Sequence, residues 1–233
     1  MKNTNLMKTK KLVSVAMFSA LAYVVAALCS YLPKVSGFLS LDIKDAVIVL
    51  CALIFGPLSG VAIAVIVPVL ELITGFSATA WYGLVMNILS SVTFCLVTGL
   101  IYKHKRSFYG AIIALVAGAF SVTAVMILAN LLITPLYLTY FKGIPTTMGG
   151  VLKMIPTILL PFNFVKATLN AAIVLLFYKP LSNVLKATKM IEYKLSDMAE
   201  QKKKGFDLRS FIVTLVAVCV IVAALCIIFF VLK

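Results

Sequence analysis

Residues 46–70, Ala46-Val47-Ile48-Val49-Leu50-Cys51-Ala52-Leu53-Ile54-Phe55-Gly56-Pro57-Leu58-Ser59-Gly60-Val61-Ala62-Ile63-Ala64-Val65-Ile66-Val67-Pro68-Val69-Leu70, decide how this chain folds. The stretch carries no charge and is long enough for one membrane-spanning helix, which needs ~20 apolar residues. Yet Gly56-Pro57-Leu58-Ser59-Gly60 sets strong helix breakers at its centre. It is therefore either one span or two helices, roughly 43–55 and 58–75.

The flanking sequence decides between them. Clear apolar runs of spanning length lie at 12–31, 80–102, 109–133, 157–178 and 211–232. With the N-terminus inside, a single span over 46–70 would put Lys103-His104-Lys105-Arg106 outside, against the positive-inside bias of membrane loops. Two helices return that loop to the cytoplasm, and with it the tail from Lys179 to Arg209. Cytoplasmic segments then hold 15 of the 21 Lys and Arg residues: four before Leu12, three in 103–106 and eight in 179–209. The split reading predicts six helices between residues 12 and 178 with both ends in the cytoplasm. A first helix of ~13 residues rises only ~20 Å, too short for ~30 Å of hydrocarbon. Such helices are tolerated where they are buried in protein or line a cavity, so the second helix is expected to help wall a pocket. The loop from Pro33 to Lys44 is expected over its outer mouth.

Composition agrees with a membrane solvent. Hydrophobic residues make up 63% of the chain and charged residues 12%, too few polar groups to cover a water-soluble fold. The net charge of +14 lies mostly between apolar runs, so it marks topology beside anionic lipid rather than nucleic-acid binding. Cys29, Cys51, Cys95, Cys219 and Cys226 all fall in apolar runs without metal-like spacing, as small buried hydrophobes do. The first apolar run is longer than a signal-peptide core and lacks a small-x-small cleavage site, so it is read as a retained span. No phosphate-cradling Gly-Lys-Ser or Gly-Lys-Thr, zinc-binding His-Glu-x-x-His or Gly-x-Ser-x-Gly elbow occurs. All four aspartates fall in predicted loops, which leaves no intramembrane aspartyl pair; the chain reads as a non-enzyme.

Polar groups inside the spans carry more information. Asn163, Lys166 and Asn170 follow Ile158-Leu159-Leu160-Pro161-Phe162 at spacings of three and four, which puts them on one helix face. A lysine near the bilayer centre costs ~2.5–3.5 kcal/mol by insertion scales, so it faces a protein interior or a cavity. Asn130, Thr134 and Tyr137 share a face near the outer end of the fifth helix, and Asn87 and Ser91 share one on the fourth. Asn130, Asn163 and Lys166 fall at similar outer depth, which favours a ligand pocket. With the sixth helix starting near Pro156, Lys166 lies ~15 Å below that start. Bland alternatives stand beside this reading. Asn87 and Asn170 suit simple helix-to-helix bonds, Glu71 and Lys166 a structural buried pair, and Trp81, Tyr82, Tyr137 and Tyr140 interfacial anchors. Ala16 with Ala20, and Ala22 with Ala26, repeat a small-x-x-x-small spacing that lets another backbone approach closely.

These features together resemble the substrate-binding S components of energy-coupling factor (ECF) vitamin transporters. Three stretches are similar to the riboflavin-specific branch: Gly37-Phe38-Leu39-Ser40-Leu41-Asp42-Ile43-Lys44-Asp45 leading into Phe55-Gly56-Pro57-Leu58-Ser59-Gly60, Asn130-Leu131-Leu132-Ile133-Thr134-Pro135-Leu136-Tyr137, and Leu160-Pro161-Phe162-Asn163-Phe164-Val165-Lys166. The likeness covers roughly residues 8–180. It implies an all-α integral membrane protein, a six-helix S-component bundle with a short second helix, that captures riboflavin from outside beneath a lid formed by the first external loop. It also implies docking on a coupling transmembrane subunit that carries two ATPases, in a prokaryotic cell membrane. Carried onto this chain, Asn130, Asn163 and Lys166 would hydrogen-bond the ring edge or the ribityl hydroxyls. Phe38 and Leu39 would cover the ring, and Ala16 and Ala20 would face the coupling subunit. No cofactor beyond the transported riboflavin is implied. The alternatives are an S component for another vitamin such as pantothenate, or a stand-alone membrane scaffold. The chain departs from the family pattern after residue 180, where a basic cytoplasmic linker (181–210) and an additional transmembrane helix (211–233) are expected.

Overall fold

The computed structural model describes residues 2–187 apart from 78 and 105, together with Val216. The expected helix 211–232 and most of the linker lie outside the described residues. Helices run Lys2–Cys29 (α1), Lys44–Phe55 (α2), Pro57–Ile73 (α3), Ala80–His104 (α4), Phe108–Leu136 (α5), Met148–Met154 (α6) and Leu160–Ala187 (α7). Wider π-helical turns at Tyr137–Phe141 and Ile155–Leu159 extend α5 and join α6 to α7.

The break in the deciding stretch falls at Gly56, as the split reading requires. Its φ of 99° is a backbone region that L side chains rarely adopt, and Pro57 takes the first position of α3, where its missing N–H costs nothing. Close approach is built into the turn. A Cβ on Gly60 would stand 2.6 Å from the Ala52 Cβ, so only glycine lets α3 fold back this tightly on α2.

By length and composition, Lys8–Cys29, Ala80–His104, Phe108–Phe141 and Met148–Tyr178 are able to cross a membrane, and Pro57–Ile73 is a shorter apolar helix. With α2 these make the six-helix bundle. The short α2 is its central pillar, packed against α1, α3, α4 and α7. Apolar on every side and buried over most of its length, it is the kind of helix that belongs in a core. It therefore walls the cavity described below only through its first residue, Lys44, less than its shortness suggested.

The sixth span starts earlier than expected. Thr147 caps α6 by accepting a hydrogen bond from the Gly150 N–H, so the helical run opens at Met148 rather than near Pro156. Pro156 and Pro161 each lack the N–H that a regular α ladder needs, and the wider turn at Ile155–Leu159 takes up the defect. Leu12, Met17, Leu28, Phe120, Leu128 and Leu132 are exposed on the outside of the bundle, an apolar belt suited to lipid.

Candidate ligand-binding site

At the end of the bundle where α1 passes into α2, the intervening loop folds over a cavity of about 110 Å³. One water needs only ~10–15 Å³ of such space, so the cavity has room for more than a bridging water. Its lining includes Phe38, Leu39, Asp42, Lys44, Glu71, Tyr82, Asn87, Asn130, Thr134, Tyr137, Asn163 and Lys166.

The loop covering it is ordered by a tight turn. Val35 and Leu39 exchange backbone hydrogen bonds of 2.8 and 3.0 Å, with Ser36 and Gly37 at φ of 51° and 76° between them. Leu39 is buried in an apolar cluster with Val35, Leu41, Val151, Leu159, Phe162 and Leu169. The Phe38 ring packs 6.4 Å from that of Tyr137, and both residues expected in a lid are among those lining the cavity.

From α5, Asn130 donates to the Met126 carbonyl (2.7 Å) and accepts from the Thr134 hydroxyl (2.8 Å). From α7, Asn163 donates to the Leu159 carbonyl (2.7 Å), one of the carbonyls beside the irregular turn. Lys166 reaches across to the loop and donates to Asp42 Oδ2 at 2.9 Å. Lys44 donates to the same oxygen at 3.1 Å and pairs with Glu71 Oε1 at 3.2 Å. Glu71 Oε2 in turn accepts from Asn87 at 3.1 Å. A chain of charge thus runs Lys166–Asp42–Lys44–Glu71 and ends on an amide. Burial works against the Asp42 carboxylate, but the Lys166 and Lys44 ammoniums outweigh it and hold the carboxyl well below the usual carboxylate range.

Two buried polar atoms in this lining, Asp42 Oδ1 and the Tyr137 hydroxyl, have no hydrogen-bond partner among the described residues. Unpaired buried polar groups are costly, and here both belong to residues that face the cavity.

Several expectations are revised by this geometry. Lys166 pairs with Asp42, not Glu71, because Lys44 occupies the Glu71 carboxylate. Asp45 lies in the first turn of α2 rather than in a loop, buried and bonded by Ser91 and Ser90. Tyr137 is buried rather than placed as an interfacial anchor, and the half-buried Tyr82 packs 5.6 Å from it. Of the four residues expected as anchors, Trp81 and Tyr140 are exposed, at 70% and 78%. Asn170 ties helices, accepting from the Ala46 N–H (2.8 Å) and donating to the Asp42 carbonyl (3.1 Å). Asp42 and Lys44 were visible only as loop charges in the sequence. The hint was their place in the Leu-Asp-Ile-Lys-Asp run between two apolar segments. Ala16 and Ala20 lie far from the cavity on the exposed face of α1, whereas Ala22 and Ala26 are buried in the bundle.

Comparison with known proteins places this geometry. The sequence profile of the family described as ECF transporter, substrate-specific component, matches residues 10–178. The chain is 35% identical over 163 residues to the riboflavin transporter FmnP of Bacillus subtilis (strain 168), covering 69% of this chain and 85% of that protein. It is 28% identical over 183 residues to the riboflavin transporter RibU of Staphylococcus aureus (strain TCH60), covering 78% of this chain and 95% of that protein. Among solved structures, it is similar to one described as "Structure and mechanism of the S component of a bacterial ECF transporter". That likeness has a TM-score of 0.62 at 27% identity and covers 77% of this chain and 99% of the other. The bundle, its apolar belt and the polar cavity beneath its first loop are thus those of a multi-pass membrane protein that belongs to the substrate-specific components of ECF transporters.

Proposed function

We propose that this chain is the riboflavin-binding subunit of an ECF-type importer. It captures the vitamin from outside and delivers it to the cytoplasm together with a coupling transmembrane subunit and two ATPase subunits. The observation that carries this reading is the convergence of Asn130, Asn163 and Lys166, from α5 and α7, on one buried cavity covered by Phe38 and Leu39. Riboflavin is a flat, largely apolar ring with a polar edge and a hydroxylated tail. It suits an apolar pocket with a few fixed donors and acceptors. The orphaned Asp42 Oδ1 and Tyr137 hydroxyl gain partners from such a ligand, which offsets the cost of burying them. Similarity to FmnP and RibU supports riboflavin among the vitamins. The bias of Lys and Arg toward one side supports a cytoplasmic N-terminus, which puts the cavity mouth outside.

An absorbance spectrum of the detergent-purified protein, followed by titration of riboflavin with quenching of its fluorescence, tests the ligand. A flavin band or tight quenching is expected, and the same binding on intact cells tests the outward-facing mouth. A colourless protein indifferent to riboflavin would redirect the reading to other vitamins, pantothenate first. Binding only after the cells are opened would overturn the orientation.

A further inference from the structure

Asp42, Lys44 and Glu71, all buried, and Lys166, half-buried, line the cavity as one connected group of charges. Two are positive and two negative, so the quartet is neutral as a whole. Both ammoniums are already engaged, and by the same oxygen, Asp42 Oδ2, with Lys44 held by Glu71 as well. Behind Lys166 a second, much smaller cavity is lined by Asp45, which adds another buried carboxyl to the surroundings. Among the described residues the remaining cation in the lining, Lys34, is exposed at the mouth, where water solvates it and weakens any pairing.

This arrangement discriminates by charge. A phosphate monoester carries close to two negative charges at pH 7. Inside, it meets ammoniums whose charge Asp42 and Glu71 already balance, so it either stands beside those carboxylates or draws an ammonium from one of them, the costly way of breaking a buried pair. A neutral ligand leaves every pair in place. It also supplies an N–H or O–H to Asp42 Oδ1, which is buried and accepts no hydrogen bond.

We propose that Asp42 sets the charge selectivity of the cavity: by holding Lys44 and Lys166 with one oxygen and offering the other to a neutral donor, it favours an uncharged hydroxylated ligand over the same ligand bearing a phosphate monoester. The inference rests on the riboflavin reading above and adds a residue, and a direction of selectivity, to it. Rejection of the wrong ligand arises here from charges already satisfied, a repulsive element rather than a missing contact.

The test compares riboflavin with riboflavin 5′-phosphate by fluorescence quenching, on the full-length detergent-purified protein and on Asp42→Asn and Glu71→Gln. The native protein is expected to bind the phosphate more weakly by at least about tenfold. Asp42→Asn keeps the shape but leaves two lysines facing one carboxylate. The ratio of phosphate Kd to riboflavin Kd should then fall about tenfold, the scale of a charge-assisted hydrogen bond. Glu71→Gln frees Lys44 without touching Asp42 and should move the ratio in the same direction, which keeps the test open if Asp42→Asn does not fold. Equal affinity of the native protein for both flavins, or an unchanged ratio in the folded variants, overturns the selectivity while leaving riboflavin binding intact. A native protein that binds neither flavin overturns the ligand reading itself, and the selectivity with it.

Discussion

Lys166 shows how one side chain serves both stability and binding. Its ammonium crosses from α7 to Asp42 in the loop, while its α7 neighbour Asn170 bonds the backbone at Asp42 and Ala46. The loop base is thereby fixed to α7, and the residues before it are held by the Val35–Leu39 turn and by the burial of Leu39 and Leu41. Lys166→Ala leaves Asp42 with Lys44 alone and removes a charge-assisted bond, a loss of about 1–3 kcal/mol. The expected result is a lower melting temperature without riboflavin and also a smaller rise on adding it, since the stabilisation by ligand follows its affinity. A melt shifted equally with and without riboflavin would leave Lys166 a structural role only. Asn130 and Asn163 differ in kind, for each donates to a carbonyl of its own helix four residues back. Those bonds hold the amides in place at the cavity wall without tying them to another helix.

At the scale of elements, the α2–α3 hairpin and the two π-helical turns position the site. Gly60 is the tightest point of the hairpin, with Ala52 of α2 and Cys95 of α4 both near its missing Cβ. Gly60→Val should destabilise the bundle by about 1–3 kcal/mol through overpacking, read as a lower melting temperature in detergent with riboflavin affinity much less affected. An unchanged melt would mean that α2 and α3 separate freely, against the packing described. The π turns are the less expected devices. One follows Pro135 and brings Tyr137 inward to pack on Phe38 and Tyr82. The other contains Pro156, stops just short of Pro161 and leads into the helix that carries Asn163 and Lys166. Each re-aims side chains into the cavity, a recurrent use of such turns.

For the molecule as a whole, the two small-residue pairs of α1 differ in placement. Ala22 and Ala26 are buried where α1 packs on the bundle, and Ala16 and Ala20 remain on its exposed side. That side is where we propose the coupling subunit docks, since small residues let a partner backbone approach closely. Ala16→Trp and Ala20→Trp should abolish riboflavin uptake by cells and spare binding by the purified protein. Uptake that survives both substitutions would remove the docking surface from α1. Ala22→Trp serves as the contrast, because a bulky side chain in that buried contact should lower stability itself.

The helical spans between residues 12 and 178, the break at Gly56 and the face shared by Asn163, Lys166 and Asn170 were legible in the sequence, because hydropathy, breaker residues and helical period are local properties of a chain. The membrane itself sharpened that reading, since backbone polar groups in lipid must be satisfied within each helix. The tertiary structure alone decided which charges meet. Lys166 and Asp42 are separated by 124 positions, and no local pattern reveals that Lys44 takes Glu71 and so leaves Lys166 to the loop. It also decided that Tyr137 turns inward rather than to the interface, because that outcome depends on a π turn and on the rings packed around it. Burial of a charge is a property of the assembled bundle: each ionised group is tolerated only where a partner from another element arrives at the same place.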